Sequence, residues 1–265
     1  MVNNLAKHLS LNDNTMIPSL GFGTAELKGE KAADSVAFAI KHGYRLIDTS
    51  PNYGNEEEVG QGIQSALGND AAREDLFIST KVEEDDMSFE GVQKSVEESL
   101  GRLKLDYIDL LLIHSPSDND EVNIETWKGF EAVLKSGKVK SIGISNFTRK
   151  ELKPLLDNAT VTPSINQVEL APGNVDWDTK EFCESHDIVI MSYSPLKKGQ
   201  LDNETIKKLA DQYGKSPQQI ALRWTVDLNT IPIPRSGNEE HIRSNADIVD
   251  FSLTEDEVQA IKDLT

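Results

Sequence analysis

The run Tyr107-Ile108-Asp109-Leu110-Leu111-Leu112-Ile113-His114 is apolar on both sides of a strand, with one acid inside it. A strand with one wet face alternates apolar and polar residues. This one predicts burial on both faces, as in a parallel sheet covered by helices. The segments on either side have a different period. Upstream, Ser88 opens a helix carrying Val92, Val96, Leu100 and Leu103 on one stripe. Downstream, residues 124–136 continue as a helix.

The same alternation extends in both directions. Toward the N-terminus, strands are expected at 76–81, 44–48 and 20–23. Between them lie a helix at 30–42, closed by Gly43, and one carrying Val59, Ile63 and Leu67. Asn55 is expected to cap the latter, with Glu58 as capping-box partner. A hairpin over 9–17, turning at Asn12-Asp13-Asn14, precedes the first strand. Toward the C-terminus, strands are expected at 138–145, 164–169, 188–193 and 230–234. A helix capped by Thr148 and Glu151 and others at 176–186, 203–213, 216–228, 239–246 and 255–264 complete the pattern. Ser216 and Pro217 suit the cap and first position of the helix at 216–228.

Eight strand–helix units in 265 residues predict a (β/α)₈ TIM barrel, spanning 1–265 as one domain, with the hairpin at its N-terminus. The open doubly wound alternative needs a third glycine in its first turn. Gly21-Phe22-Gly23-Thr24-Ala25-Glu26 lacks it.

Composition narrows the function. The net charge is −18, from 45 acidic and 27 basic residues, which argues against nucleic acid and anionic membranes as partners. A plain acidic cytosolic protein and an adaptation to high salt both fit this charge. No apolar run approaches the ~18 residues of a membrane span, and the polar N-terminal segment is unlike a signal peptide. The one cysteine, Cys183, excludes an internal disulfide and suits a reducing cytoplasm. No interface stripe stands out, so a monomer is the default expectation.

Barrel active sites sit at the C-terminal strand ends. Asp48, Lys81 and His114 end three successive strands, and Tyr53 follows the first of them. Taken singly, each has a plainer reading as a loop cap, a solvated lysine, a rim histidine or a packed loop aromatic. Together they can form a general acid. A neighbouring ammonium favours a phenolate, so Lys81, held by Asp48, is expected to lower the Tyr53 pKa from about 10 toward neutrality. His114 can hydrogen-bond the reacting oxygen.

These residues and their surroundings resemble the aldo-keto reductases over essentially the whole chain, and in particular prokaryotic-type members similar to diketogluconate and aldehyde reductases. The similar segments are Ile47-Asp48-Thr49-Ser50 with Tyr53-Gly54-Asn55-Glu56, Ile78-Ser79-Thr80-Lys81 and Leu111-Leu112-Ile113-His114. Others are Gly143-Ile144-Ser145-Asn146-Phe147, Asn166-Gln167-Val168-Glu169, Ser192-Tyr193-Ser194-Pro195-Leu196 and Ile231-Pro232-Ile233-Pro234-Arg235-Ser236.

The resemblance implies reduction of aldehydes and ketones by a nicotinamide hydride, with a proton from Tyr53 and no metal. It implies that Ser145, Asn146 and Gln167 hold the nicotinamide carboxamide and that the Tyr193 ring stacks on it, with Ser194, Pro195 and Leu196 alongside. Gly23, Thr24 and Asp48 fall in the same cofactor site. Pro234, Arg235, Ser236, His241 and Asn245 fall at the adenosine phosphate. Arg235 keeps the charge of the usual phosphate-site lysine. His241 replaces the usual second arginine, which leaves NADPH favoured and NADH as the alternative.

Substrate is expected to meet Tyr53, His114, Ala25, Glu83 and Ser115. The last three replace aromatic residues common in the family, so a wide, polar pocket for small polar carbonyls is expected. The chain stops soon after its last helix, without a long C-terminal loop, which implies broad specificity. Two rivals stand beside this reading. One is a non-catalytic nicotinamide-binding barrel that serves as sensor or partner subunit. The other is a Schiff-base aldolase using Lys81.

Overall fold

The computed structural model describes residues 7–196 and 201–264. A short antiparallel hairpin, β1 (His8–Ser10) with β2 (Met16–Pro18), comes first. The barrel strands follow as β3 (Gly21–Gly23), β4 (Leu46–Asp48), β5 (Phe77–Val82), β6 (Ile108–Ile113), β7 (Val139–Ser145), β8 (Ile165–Glu169), β9 (Val189–Tyr193) and β10 (Ile231–Pro232). Each pairs in parallel with the next in sequence, so every connection is a βα crossover. A bridge between Gly23 and Arg235, with the Gly23 N–H donating to Pro234 C=O at 3.2 Å, brings the first and last strands together. This is the expected barrel with its N-terminal hairpin.

Helices α1 (Gly29–Lys41), α2 (Glu56–Ala66), α3 (Phe89–Leu103), α4 (Asp120–Ser136), α5 (Arg149–Asn158) and α6 (Trp177–Glu184) fill the first six crossovers. The pair α7 (Glu204–Tyr213) and α8 (Pro217–Asp227) fills the seventh, and α9 (Glu239–Ala246) and α10 (Glu255–Lys262) follow β10. No helix of the described residues is long and apolar enough to cross a membrane.

Strand β6 shows why its sequence lacks a polar face. Leu110 and Leu112 point into the barrel, where they meet Leu46, Phe77, Ile165, Met191 and Ile231, while Leu11 and Ile17 of the hairpin region join the same cluster. Leu111 and Ile113 point outward into the layer shared with Val96, Phe130 and Leu152 of the helices. Each fully buried side chain of this size contributes about 1.5–3 kcal/mol. Asp109 is tolerated because Arg73 pairs with it at 2.6 Å and the Ile78 N–H donates to it at 2.9 Å. At Gly143 of β7 the strands approach so closely that a Cβ would lie 2.6 Å from the Ile165 carbonyl oxygen.

Three local outcomes differ from expectation. Strand β10 is two residues long rather than spanning 230–234, because Pro232 and Pro234 have no N–H to give a ladder. Ile233 still donates to Ser192 C=O at 3.0 Å. Helix α4 starts at Asp120, four residues before the apolar stripe, because the Asn119 side chain caps it by accepting from the Glu121 N–H at 2.9 Å. Asn55 precedes α2 but does not cap it with its side chain. That carboxamide is buried and bonds elsewhere. The Thr148–Glu151 and Ser216–Gln219 capping boxes both form.

Candidate active site

The loop after β4 is built to hold one phenol. Ser50 caps a single 3-10 turn, Pro51–Tyr53, and Gly54 leaves it in the left-handed region at φ 57°. Asn55 fastens the turn from below. Its Nδ2 donates to the carbonyls of Thr24 at 2.8 Å and Leu27 at 2.9 Å, and its Oδ1 accepts from Thr49 Oγ1 at 3.1 Å. Lys28 Nζ donates to the Tyr53 carbonyl oxygen. The Tyr53 ring meets the His114 ring edge to face, with centroids 6.0 Å apart.

Beneath Tyr53 lies a fully buried ion pair. Lys81 Nζ donates to Asp48 Oδ2 at 2.9 Å, to Thr49 C=O at 2.8 Å and to the Tyr53 hydroxyl at 3.4 Å. Asp48 Oδ1 accepts from Gln167 Nε2 at 2.8 Å and from Ser79 Oγ. Burial pushes the Lys81 ammonium down, but Asp48 and Tyr53 push it up, and the net direction is up. Lys81 is therefore a charged, enclosed donor. Its side chain is 0% exposed, which removes the free amine that the aldolase reading requires.

The phenol corrects one expectation. Burial pushes the Tyr53 pKa up, Lys81 pulls it down and Asp48 pushes it up again, leaving it above the ordinary tyrosine value. The charge of Lys81 is already matched by Asp48, so the field at the phenol is that of a pair rather than a bare cation. Tyr53 is consequently protonated at neutral pH, and a proton donor is loaded by default.

A cavity of about 660 Å³ opens above these residues. Gly23, Thr24, Ala25, Asp48, Tyr53, His114, Ser145, Asn146, Gln167, Tyr193, Ser194, Pro195, Leu196, Pro234 and Arg235 all line it. Asn146 (φ 62°) and Ser194 (φ 53°) hold left-handed backbones there, a conformation that few residues other than glycine adopt and that recurs at ligand sites. Asn146 donates from Nδ2 to His114 C=O and accepts the Tyr193 hydroxyl at Oδ1, both at 2.9 Å. Ser145 Oγ donates to Gln167 C=O at 2.7 Å. One wall thus carries a flat phenol ring beside a hydroxyl and two carboxamides. That donor and acceptor set suits a planar ring bearing a carboxamide. Arg235 stands at the opposite end, paired with Glu26 at 2.6 Å.

Besides Lys81, which lies beneath Tyr53, five expected residues lie off the cavity wall. Ser236 accepts from Asn238 N–H at 3.0 Å, ahead of α9. His241 is exposed on the first turn of that helix, and Asn245 is buried in its last turn. Ser115 is exposed on the rim, within 3.4 Å of Asn146 Nδ2. Glu83 is turned onto the His114 ring. Cys183 is buried, and burial pushes its thiol up to about 11, in keeping with a packing role.

The site also holds residues that the sequence reading missed, Glu169 and Glu26 on the cavity wall and Ser79 below it on Asp48. Ser79 and Glu169 lie two positions from Lys81 and Gln167, and strand period two places them on the same inward faces. That signal was available. Glu26 gave none, because its reach to Arg235 depends on a left-handed loop residue at φ 63°.

A parallel α/β barrel whose C-terminal mouth gathers a phenol, an ammonium, a carboxylate and an imidazole defines an oxidoreductase of carbonyl groups. The chain belongs to the aldo/keto reductase family, whose model matches residues 19–265. It is 40% identical over 263 residues to the glyoxal reductase of Bacillus subtilis (strain 168), covering 98% of this chain and 94% of that protein. The crystal structure of an aldo/keto reductase from Brucella melitensis superposes with a TM-score of 0.95 at 40% identity, covering 98% of each chain. That of a Bombyx mori aldo-keto reductase in complex with NADP gives 0.92 at 37% identity, covering 98% of this chain and 92% of that one.

Proposed function

We propose that this protein reduces small polar aldehydes and ketones with NADPH, acting as a monomer in the cytoplasm and accepting a broad range of substrates. The observation that carries the reading is the Tyr53 hydroxyl, which lines the cavity 3.4 Å from a buried ammonium. Tyr53 gives its proton to the carbonyl oxygen, and Lys81, fixed by Asp48, stabilises the phenolate that remains. His114 lines the cavity beside Tyr53 and turns its free ring nitrogen toward the reacting oxygen. Ser145, Asn146 and Gln167 hold the carboxamide of the cofactor, the Tyr193 ring covers its nicotinamide, and Gly23, Thr24, Ser194, Pro195 and Leu196 line its path. Pro234, Arg235, Ser236, His241 and Asn245 receive its adenosine phosphate. When bound, the cofactor supplies the hydride.

The substrate class follows from the walls. Ala25 leaves room where a bulkier residue would close the cavity, and Glu26 and Glu169 add polar lining. Dicarbonyls, hydroxy-aldehydes and keto-sugars fit such a site, and the similar Bacillus subtilis protein is named for glyoxal. Initial rates of NADPH and NADH oxidation with a panel of these carbonyls test the reading. Turnover is expected with both cofactors and faster with NADPH, because Arg235 supplies a cation for the 2′-phosphate. Tight cofactor binding without oxidation by any carbonyl overturns the reading in favour of a sensor.

The raised Tyr53 pKa adds a prediction. The acid form persists to higher pH than in free tyrosine, so reduction finds its donor loaded throughout the neutral range. Alcohol oxidation needs the phenolate. Its kcat/KM is expected to climb about tenfold per pH unit from neutrality upward. A pH-rate profile for oxidation that peaks at or below pH 7 contradicts the assignment.

A further inference from the structure

Glu83 follows directly on β5, and its carboxylate clasps one nitrogen of His114. Both oxygens lie on Nδ1, at 2.6 and 2.8 Å. Glu83 Oε1 also accepts from Asn52 N–H at 3.2 Å and from Ser50 Oγ. Burial pushes the Glu83 carboxyl up, but its bonds from His114 and Ser50 outweigh this and hold it below the usual range. An ionised carboxylate only accepts hydrogen bonds, so Nδ1 must carry the proton. Nε2 is the ring nitrogen left for a ligand in the cavity that His114 lines.

A neutral imidazole has one N–H, so a ring that spends it on Glu83 presents a lone pair at Nε2. A carbonyl oxygen offers only lone pairs and finds no donor there. An alcohol hydroxyl does find an acceptor. The doubly protonated ring reverses this, because Nε2 then carries a proton of its own. Among the described residues, Tyr53 also faces the ring and is protonated at neutral pH, and the Lys81–Asp48 pair lies beneath Tyr53 with its charges offsetting each other.

We propose that Glu83 is a positioning residue that fixes the Nδ1–H tautomer of His114, so that the ring assists carbonyl reduction only when doubly protonated and receives the alcohol when neutral. This rests on the reductase reading above. The glutamate thereby makes the rates of the two directions depend differently on the state of its neighbour. Ser50 supplies the alternative. Its Oγ lies 3.3 Å from Nδ1 and, freed from Glu83, can donate to it and favour a proton on Nε2.

Long-range proton–nitrogen NMR of ¹⁵N-histidine-labelled protein near pH 8.5 reads the tautomer directly. Wild type and Glu83→Gln, whose amide oxygen still accepts from Nδ1, are expected to show Nδ1–H. Glu83→Leu is expected to show Nε2–H. At the same pH, reductive kcat/KM of wild type and Glu83→Gln is expected to lie about tenfold below that of Glu83→Leu, the scale of one hydrogen bond. An Nε2–H tautomer in wild type, or a Glu83→Leu rate no higher than that of wild type, overturns the proposal. No turnover by any of the three proteins overturns the reductase reading instead, and the spectra then still decide the tautomer.

Discussion

Tyr53→Phe is expected to lower kcat for carbonyl reduction by about 10²–10⁴-fold, the usual contribution of a positioned general acid, and to leave cofactor affinity unchanged. The substitution removes one oxygen and keeps the ring, so the edge-to-face contact with His114 survives, as does the ring's placement 5.1 Å from Lys81 Nζ. Lys81 loses its longest hydrogen bond, at 3.4 Å, and keeps those to Asp48 and Thr49 at 2.9 and 2.8 Å. Folding is therefore little affected, and the lost rate reports the proton. The measurement is NADPH oxidation at saturating aldehyde, beside fluorescence titration of the cofactor. Wild-type turnover in the variant at neutral pH would remove Tyr53 from the mechanism.

Much of this site was legible because strand ends announce themselves. Asp48, Lys81 and His114 each stand at the end of an expected strand, and the rule that barrel sites lie at C-terminal strand ends turns three separate positions into one cluster. What period and position do not carry is direction of reach. Asn55 stands where a helix cap belongs, yet its carboxamide turns inside, where it donates to the Thr24 and Leu27 carbonyls. Glu83 stands at a position expected to meet substrate, yet the nearest strong partner for its charge is the imidazole on the next strand. The pKa of Tyr53 departs from expectation for a related reason. Lys81 alone would lower it, but burial and the charge of Asp48 outweigh that pull. Each of these depends on several elements meeting at one point, and no single segment encodes it.

Lys81→Met is expected to cost about 3–5 kcal/mol of stability, since it leaves a buried carboxylate without its cation. For a chain of this size that is a fall of roughly 10 °C in Tm. The side chains of Lys81 and Asp48 are 0% and 2% exposed, so water cannot take over for the missing partner. Ser79 and Gln167 still donate to Asp48, which softens the loss without supplying charge. Asp48→Asn leaves the mirror defect, an unmatched ammonium that retains only Thr49 C=O and Tyr53 as partners. Combining the two removes both charges, so the double variant is expected to unfold at a higher temperature than either single one. Thermal unfolding of the four proteins closes a double-mutant cycle. Simple addition of the two single costs would mean that the pair is not coupled. Activity is expected to stay lost in the double variant even as stability returns. The fold needs only that the two charges match, whereas the proton donor needs an ammonium beneath Tyr53 to stabilise the phenolate formed in the reaction.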